Sequence, residues 1–255
     1  MQIHFDPRLA EGYKSIPQRI KALTESWVGK EAFCPACGNP LTKSDNNRPV
    51  LDFICSPCRE EYELKSSKSN FGRKVLDGAY RTMIERLNGS NNPNFFLLNY
   101  SPQDYEVANF FVIPKHFFVT EIIEKRKPLA ETARRARWVG CNIILQNIPQ
   151  SGKIFYIRDK QIQPRENVLQ TWQKTLFLRE EKETVSKGWV LDVMNCVDSL
   201  SKKEFMLDEV YAFEGTLRSK HPDNKHIKDK IRQQLQFLRD KGYLEFMGRG
   251  RYRVI

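Results

Sequence analysis

Three residues between positions 52 and 65 have the types and the spacing of a metal-dependent hydrolytic site. Asp52 lies within a short, mostly apolar run at 49–54, where a carboxylate is costly unless it is paired or binds a metal ion. In the following EEYELK segment, the two-residue period of a β-strand places Glu63 and Lys65 on the same face. If the two segments pair as antiparallel strands, Asp52 lies beside Glu63, with Lys65 just beyond.

The chemistry that this triplet could perform is phosphodiester hydrolysis with Mg²⁺. Two carboxylates and a carbonyl oxygen suit Mg²⁺ and leave room for water and phosphate oxygens. Lys65 would orient the attacking water or help to deprotonate it, while the metal ion neutralises the developing charge. The D-x10-E-x-K spacing, with Pro49 three residues ahead of the aspartate, resembles the PD-(D/E)XK nuclease motif. The alternative is a solvated hairpin face on which Asp52 forms a structural ion pair.

Four of the six cysteines have the spacing of a zinc site. They follow the pattern C-x2-C-x17-C-x2-C and are Cys34, Cys37, Cys55 and Cys58. Two such knuckles, each with two thiolates, complete a tetrahedral Zn²⁺ site, and a site with no open position is structural. The alternative is two redox pairs or four unrelated thiols. Cys141 and Cys196 are isolated in the sequence, which indicates small core residues.

The composition indicates a polyanionic partner. Lys and Arg number 42 against 31 Asp and Glu, for a net charge of +11, which is typical of nucleic-acid-binding proteins; a basic protein without such a partner is the alternative. We find no apolar core of a signal peptide and no stretch near the ~18 apolar residues of a membrane helix. We therefore expect a cytoplasmic protein without membrane contact. The absence of a phosphate-loop motif argues against ATP.

The segments that must position the triplet alternate between helical and extended patterns, which predicts a mixed α/β fold. Apolar spacing predicts helices at 7–28 and 74–87. Aromatic and β-branched runs predict strands at 94–100, 109–119 and 153–159. The charged segment 178–188 has no apolar period and is the one plausible linker.

After this segment the pattern changes to three helices and a hairpin, the order of a winged helix-turn-helix domain. The third helix ends at Gly242 and offers side chains that reach base edges and phosphates in a major groove. These side chains are Lys225, Lys228, Arg232 and Gln233. The hairpin supplies a basic wing for the sugar-phosphate backbone, made of Arg249, Arg251 and Arg253. A solvated helix face is the alternative.

One further basic stretch surrounds an aromatic residue. Trp138 follows three arginines, which are Arg134, Arg135 and Arg137. Arginines beside an exposed aromatic side chain suit a DNA-facing loop. A core tryptophan flanked by surface arginines is the alternative.

With these residues assembled, the chain resembles the DpnI-like methyl-directed (type IIM) restriction endonucleases over essentially its whole length. The resemblance is carried by the double cysteine knuckle, NNRPV before Asp52, ELK, DGAY, NNPNFF, RKPLA followed by TARRA and GCNI, and HIKDKIRQQLQFLRDK with FMGRGRYR. It implies a PD-(D/E)XK core with an inserted four-cysteine zinc site at 1–182. It also implies a winged-helix DNA-binding domain at 183–255.

The resemblance further implies an enzyme that cuts GATC in DNA when its adenine is N6-methylated, preferentially on both strands. Asp52 and Glu63 would bind catalytic Mg²⁺, Lys65 would complete the site, and zinc would be structural. The winged helix would read the same methylated site, and we expect a monomer. Two other classes stay open: a zinc-containing winged-helix regulator without nuclease activity, and a nuclease that is blind to methylation.

The position of the methyl groups is consistent with this implication. The adenine N6 methyl projects into the major groove, and in palindromic GATC the two methyls lie on neighbouring base pairs. One flat apolar surface could touch both, and Trp138 is the candidate for it. Because a buried methyl contributes only about 0.8 kcal/mol, strong discrimination needs several contacts or a second reading by the other domain.

Overall fold

The candidate catalytic segment lies within a mixed sheet that is flanked by helices. The computed structural model describes residues 1–44, 51–89, 92–181 and 184–255, so that Pro49 lies outside the described residues. The helices up to residue 181 are α1 (Ile16–Glu31), α2 (Tyr80–Asn88) and α3 (Arg165–Gln173) among those described. The strands of this part are β1 (Thr42–Lys43), β2 (Phe53–Ile54), β3 (Glu61–Ser67), β4 (Lys74–Ala79), β5 (Asn94–Ser101), β6 (Glu106–Ile113), β7 (Ile123–Lys125), β8 (Gly140–Ile144), β9 (Ile154–Arg158) and β10 (Gln161–Ile162).

These strands form two sheets that meet at the candidate site. The larger sheet has the order β1-β2-β3-β5-β6-β9-β10, and the smaller sheet has the order β4-β8-β7. Strand β3 pairs with β2 in the antiparallel sense and with β5 in the parallel sense. A parallel pair needs a crossover connection, and β4 with α2 supplies it. The crossover brings the smaller sheet against β3.

The sequence of β5 explains its central position. Residues 94–100 are buried on both faces of the sheet, and near-continuous apolar runs are typical of strands that are covered on both sides. On one side, Phe96 stacks on Tyr62 of β3 with the ring centres 4.6 Å apart. On the other side, Phe95 packs against Phe118 at 4.9 Å. Strand β5 therefore joins the two apolar layers that hold the catalytic strands.

The helix that the sequence predicts at 74–87 is only half present. Residues 74–79 form β4, and the helix α2 begins at Tyr80. The apolar spacing of Val75, Ala79 and Met83 suits a helix, but pairing of β4 with β8 overrides this local preference, and Gly78 weakens a helix at that point. The correction places Asp77 on a strand rather than on a helix surface.

Two other predicted elements are shorter than expected. The predicted helix at 7–28 begins at Ile16, and residues Pro7–Ala10 form a separate 3-10 turn. The Ser15 side chain accepts a hydrogen bond from the backbone of Gln18 and caps α1. The strand predicted at 109–119 ends at Ile113 in β6, because Pro114 follows it.

The C-terminal part has the predicted winged-helix order. Its elements are α4 (Thr184–Ser199), β11 (Glu204–Met206), α5 (Leu207–Tyr211), α6 (Glu214–Lys220), α7 (Ile227–Asp240), β12 (Leu244–Gly248) and β13 (Arg251–Val254). The strands form a sheet with the order β11-β13-β12. The second predicted helix is divided into α5 and α6. Gly242, with φ +72°, follows the end of α7 as predicted.

The two parts of the chain pack closely against each other. One hydrophobic cluster includes residues of the smaller sheet and the buried faces of α4 and α7. Phe177 contacts Phe237 and Tyr243, with ring centres 6.0 and 6.1 Å apart. The backbone N–H of Gln150 donates a 2.7 Å hydrogen bond to Asp198 on α4. The predicted domain boundary at 182/183 falls on residues outside the described ranges and stays a prediction.

Candidate active site, zinc cluster and DNA-binding surfaces

Pairing of β2 with β3 brings Asp52 to Glu63. The register places Phe53 opposite Tyr62, and the backbone N–H of Asp52 donates a 3.0 Å hydrogen bond to the carbonyl of Tyr62. The Asp52 Oδ2 atom accepts a 2.7 Å hydrogen bond from the backbone N–H of Leu64. The carboxylate is thus held beside the Glu63 segment, which is the arrangement that the sequence predicts.

Lys65 lies between two buried carboxylates. Its Nζ atom donates to Glu63 Oε1 and lies 2.5 Å from Asp77 Oδ1 as an ion pair. Glu63 is 8% exposed, and the Asp77 side chain is 4% exposed. Sequence reasoning missed Asp77, because it assigned this residue to a helix that does not face β3. The available signal was the DGAY segment, which carries part of the family resemblance.

The buried carboxylates of the site have too little positive charge around them to be fully stabilised as anions. Burial raises the pKa of Glu63 to about 7, and the neighbouring Asp77 and Asp52 add to this, against the opposing effect of Lys65. Burial also raises the pKa of Asp52, although the Leu64 N–H lowers it. Burial disfavours the Lys65 ammonium, but Glu63 and Asp77 together raise its pKa. The site therefore favours an additional cation.

A divalent cation fits the oxygen atoms that are present. Glu63 Oε2 is buried and has no hydrogen-bond partner within the described part of the chain, and Asp52 supplies a second carboxylate. Both residues line a cavity of about 650 Å³ between α1 and β3, which also contains Thr24, Glu25 and Ser66. Carboxylate oxygens and room for water and phosphate are what Mg²⁺ requires. Asp52 and Glu63 could therefore hold Mg²⁺.

Glu25 on α1 is a second carboxylate that sequence reasoning missed. It is buried, and Lys43 Nζ lies 2.7 Å from its Oε2 atom while Lys21 Nζ lies 3.4 Å from Oε1. Its charge also raises the pKa of Asp52. Nothing in the spacing of 25 and 52 along the sequence indicated this contact.

The four predicted zinc ligands converge. All four Sγ atoms lie within 4.8 Å of one another, and no other group of three or more potential ligands does so in the described residues. Cys34 and Cys58 are 3.4 Å apart, as are Cys37 and Cys55. The four-cysteine cluster could therefore hold a structural Zn²⁺ ion, as the sequence predicts.

Both cysteine knuckles have the same backbone turn. The N–H of Gly38 donates to the carbonyl of Cys34, and the N–H of Arg59 donates to the carbonyl of Cys55. Gly38 and Arg59 both have positive φ, +79° and +61°. Only glycine adopts this conformation without cost, so that the second knuckle contains a strained arginine. The matching turns direct the cysteine side chains toward one point.

Trp138 lies on a hairpin-like loop between β7 and β8. The backbone N–H of Leu129 donates to the Trp138 carbonyl, at 2.9 Å. The indole is half-buried: a Cβ atom at Gly140 would lie 2.7 Å from its Cη2 atom, and the Arg135 guanidinium lies 4.6 Å from the ring centre. Arg134, Arg135 and Arg137 are exposed, and Arg137 pairs with Glu131. The loop presents a basic surface with part of the indole.

The predicted recognition residues lie on the exposed side of α7 and just before it. Lys225, Lys228, Arg232 and Gln233 are all exposed. Lys228 and Arg232 both approach the ring of Tyr211, at 5.3 and 5.7 Å from its centre. Lys225 precedes the helix, which begins at Ile227. The structure therefore brings Lys228 and Arg232 together at Tyr211, a neighbour that sequence reasoning did not include.

The wing is formed by the turn between β12 and β13. Arg249 and Arg251 are exposed on this turn. Arg253 instead contacts Glu204 at 2.7 Å and Glu245 at 3.3 Å. These ion pairs remove Arg253 from the wing surface that the sequence predicts, because its charge is neutralised within the sheet β11-β13-β12.

A mixed α/β domain with a four-cysteine cluster, followed by a winged helix-turn-helix, defines a two-part DNA-acting protein. Residues 1–181 match the DpnI family, described as the Dam-replacing family. Residues 185–254 match its C-terminal domain, described as the Dam-replacing HTH domain. The chain therefore belongs to the DpnI family, which confirms the resemblance seen in the sequence. Membership makes it a methyl-dependent restriction endonuclease with a C-terminal DNA-binding domain. None of the described helices is both long and apolar enough to cross a membrane.

Proposed function

We propose that this protein is a Mg²⁺-dependent endonuclease that hydrolyses both strands of duplex DNA at GATC sites with N6-methylated adenine. The observation that carries the catalytic part is the buried Glu63 carboxylate, whose Oε2 atom has no hydrogen-bond partner among the described residues. Asp52 directly precedes the neighbouring strand β2 and accepts a hydrogen bond from the Leu64 N–H. Lys65 contacts the Glu63 carboxylate through Oε1. Family membership supplies the methyl dependence.

In this proposal each residue of the site has a defined role. Asp52 and Glu63 hold Mg²⁺, which supplies positive charge that offsets the charge developing on the phosphoryl group. Lys65 directs an N–H toward the attacking water, because its three donors include one beyond those used by Glu63 and Asp77. The Leu64 N–H keeps Asp52 in position. The water loses a proton to solvent as its oxygen bonds to phosphorus. The bond from phosphorus to the leaving oxygen breaks, and that oxygen takes up a proton from solvent and departs with the other DNA fragment.

Two surfaces of the chain would read the methylated site. Trp138 and its three neighbouring arginines would contact the duplex from the catalytic part. Lys225, Lys228, Arg232 and Gln233 would enter the major groove, with Arg249 and Arg251 on the backbone. Both surfaces are basic and exposed, and direct contacts to base edges in the major groove can detect the N6 methyl group. Two readings of the same site would give stronger discrimination than one.

The zinc cluster would hold the catalytic hairpin rather than act on DNA. Cys55 and Cys58 lie in the turn between β2 and β3. Asp52 directly precedes β2 and Glu63 lies on β3, so the turn connects the two proposed metal-binding carboxylates. We place the protein in the cytoplasm as a monomer. Its task there would be to destroy incoming DNA whose GATC sites are methylated, in a host whose own sites are not.

A plasmid digestion tests this proposal directly. One plasmid is prepared with and without N6-adenine methylation and incubated with the protein, with Mg²⁺ present or omitted and without a chelator, so that zinc is retained. We expect linear fragments with ends at GATC from the methylated plasmid, and only when Mg²⁺ is present. Cleavage of both plasmids would identify a nuclease blind to methylation. Binding of DNA without cleavage under any condition would identify the zinc-containing regulator, and either result would overturn the proposal.

A further inference from the structure

We infer that Asp77 is a positioning residue, which holds the Lys65 ammonium in place for hydrolysis while Glu63 binds the metal ion. This inference rests on the proposed function and extends it to a residue of the smaller sheet. It concerns the contact between Lys65 Nζ and Asp77 Oδ1, which are 2.5 Å apart.

The contact joins the two sheets at one point. Lys65 lies on β3 of the larger sheet, and Asp77 lies on β4 of the smaller sheet. The two-residue period of β4 places Asp77 on the same face as the buried Val75, whereas Lys74 and Leu76 are exposed. This face turns toward β3, and the Asp77 side chain contacts Lys65 there.

The surroundings of Asp77 leave Lys65 as its main partner. Its other oxygen, Oδ2, has the Cys141 thiol at 3.8 Å, and a thiol is a weak donor. Leaving a buried carboxylate without compensating charge is strongly destabilising. Asp77 and Lys65 therefore depend on each other, and moving one displaces the other.

Asp77 contacts Lys65 and stands apart from the proposed metal pair. Asp52 and Glu63 both line the cavity between α1 and β3, and Asp77 is not among the residues that line it. Two carboxylates flank the ammonium, and only one of them belongs to the proposed metal pair.

With two carboxylate partners, Lys65 does not have to compete with the metal ion for Glu63. If Glu63 were the only partner of Lys65, the ammonium and the metal ion would compete for the same carboxylate. With Asp77 present, Lys65 keeps an ion pair when Glu63 is engaged elsewhere. The amine stays beside the reacting phosphate, because it is anchored from the opposite sheet.

The test compares Asp77→Asn and Asp77→Glu with a matched control on the same smaller sheet. Glu124→Gln also replaces a carboxylate by an amide, and it removes the ion pair with Lys74 without touching Lys65. We expect Asp77→Asn to lower the single-turnover cleavage rate by about 100-fold, and Glu124→Gln to change it less than threefold. DNA affinity and zinc content should be close to those of the wild type.

The Asp77→Glu variant separates positioning from packing. A purely structural role would favour asparagine, which has the shape of aspartate, over the longer glutamate. A charge that anchors Lys65 predicts the reverse order, and we expect Asp77→Glu to cleave at least tenfold faster than Asp77→Asn. If asparagine is the better substitute, or cleaves within threefold of the wild type, the inference is wrong.

A second measurement does not depend on cleavage. The ¹⁵N-ammonium signal of Lys65, identified by its loss in Lys65→Arg, should persist in the wild type when Ca²⁺ replaces Mg²⁺. In Asp77→Asn with Ca²⁺ it should be lost. An unchanged signal together with lost Ca²⁺ binding would make Asp77 a metal ligand and overturn the inference. A wild-type chain that cleaves no methylated DNA would instead refute the proposed function.

Discussion

The hydroxyl of Tyr62 lies 3.1 Å from the Sγ atom of Cys34. Tyr62 directly precedes Glu63 on β3, so that one strand contacts the zinc cluster on one face and carries the candidate metal-binding carboxylate on the other. Tyr62 is fully buried and stacks on Phe96. The zinc cluster and the candidate active site are therefore adjacent through a single residue, and loss of the first should affect the second.

Replacing the zinc ligands should abolish cleavage. Cys58→Ser removes one thiolate and should release the ion, so that β2 and β3 separate and Asp52 moves away from Glu63. Tyr62→Phe is the matched variant, since it keeps the aromatic stacking and loses one hydrogen bond, with an expected cost of about 1 kcal/mol. Elemental analysis should find about one zinc per chain in Tyr62→Phe and in the wild type. Active, folded protein that lacks zinc would contradict this prediction.

Substitutions in the triplet should separate cutting from binding. Asp52→Ala, Glu63→Gln and Lys65→Ala should each reduce cleavage to the background, while affinity for methylated duplexes changes little, because the proposed reading surfaces lie elsewhere. Glu25→Gln tests the neighbouring carboxylate in the same cavity. Cleavage near the wild-type rate by any of the three variants would remove that residue from the site.

The contribution of Glu63 to the stability of the Mg²⁺-free protein should fall as the pH rises from about 4.5 to about 7. Burial, with the nearby acids Asp77 and Asp52 and against Lys65, raises the pKa of Glu63 from 4.5 to about 7. Between these values the folded state holds the proton and the unfolded state does not, so that rising pH disfavours folding. The loss attributable to Glu63 is at most about 3 kcal/mol.

Urea unfolding at pH 5 and pH 8 measures this loss. Mg²⁺ is left out of the buffer and no chelator is added, so that zinc is retained. The control is Glu63→Gln, which has no titrating group at position 63. The wild type should lose more stability than the variant between the two pH values, and Mg²⁺ should restore part of it at pH 8. Equal losses in the two proteins would show that Glu63 does not carry the effect.

Two substitutions in the winged helix should have different consequences for DNA binding. In a Glu63→Gln background, which prevents cutting, Gln233→Ala should reduce the preference for methylated over unmethylated GATC duplexes, because it removes a contact to a base edge. Arg251→Ala should weaken binding to both duplexes equally and lower the salt dependence by about one phosphate contact. Titration at several salt concentrations measures both. An unchanged preference in Gln233→Ala would assign methyl reading to the catalytic part and to Trp138.

Local patterns in the sequence predicted the parts of the protein that depend on close neighbours. The cysteine spacing, the alternation in EEYELK and the apolar stripe of α7 each determine structure within a short segment. Asp77 was not predictable in this way, because the apolar spacing around it suits a helix and only the pairing of β4 with β8 makes a strand. Glu25 was missed for the same reason, since its contact with the site depends on where α1 packs. The sequence left open whether Trp138 is exposed on a DNA-facing loop or buried in the core. In the structure it is half-buried, against Gly140 and Arg135.

The hydrophobic cluster that runs from the smaller sheet into α4 and α7 has a consequence for how the protein melts. Two domains joined by a flexible linker unfold in separate steps, whereas units that share buried apolar surface lose their structure together. The winged helix would expose Tyr243, whose ring packs against Phe177, if it separated from its partner. We therefore expect the catalytic part and the winged helix to unfold as one cooperative unit. A destabilising change in either should lower the melting temperature of both.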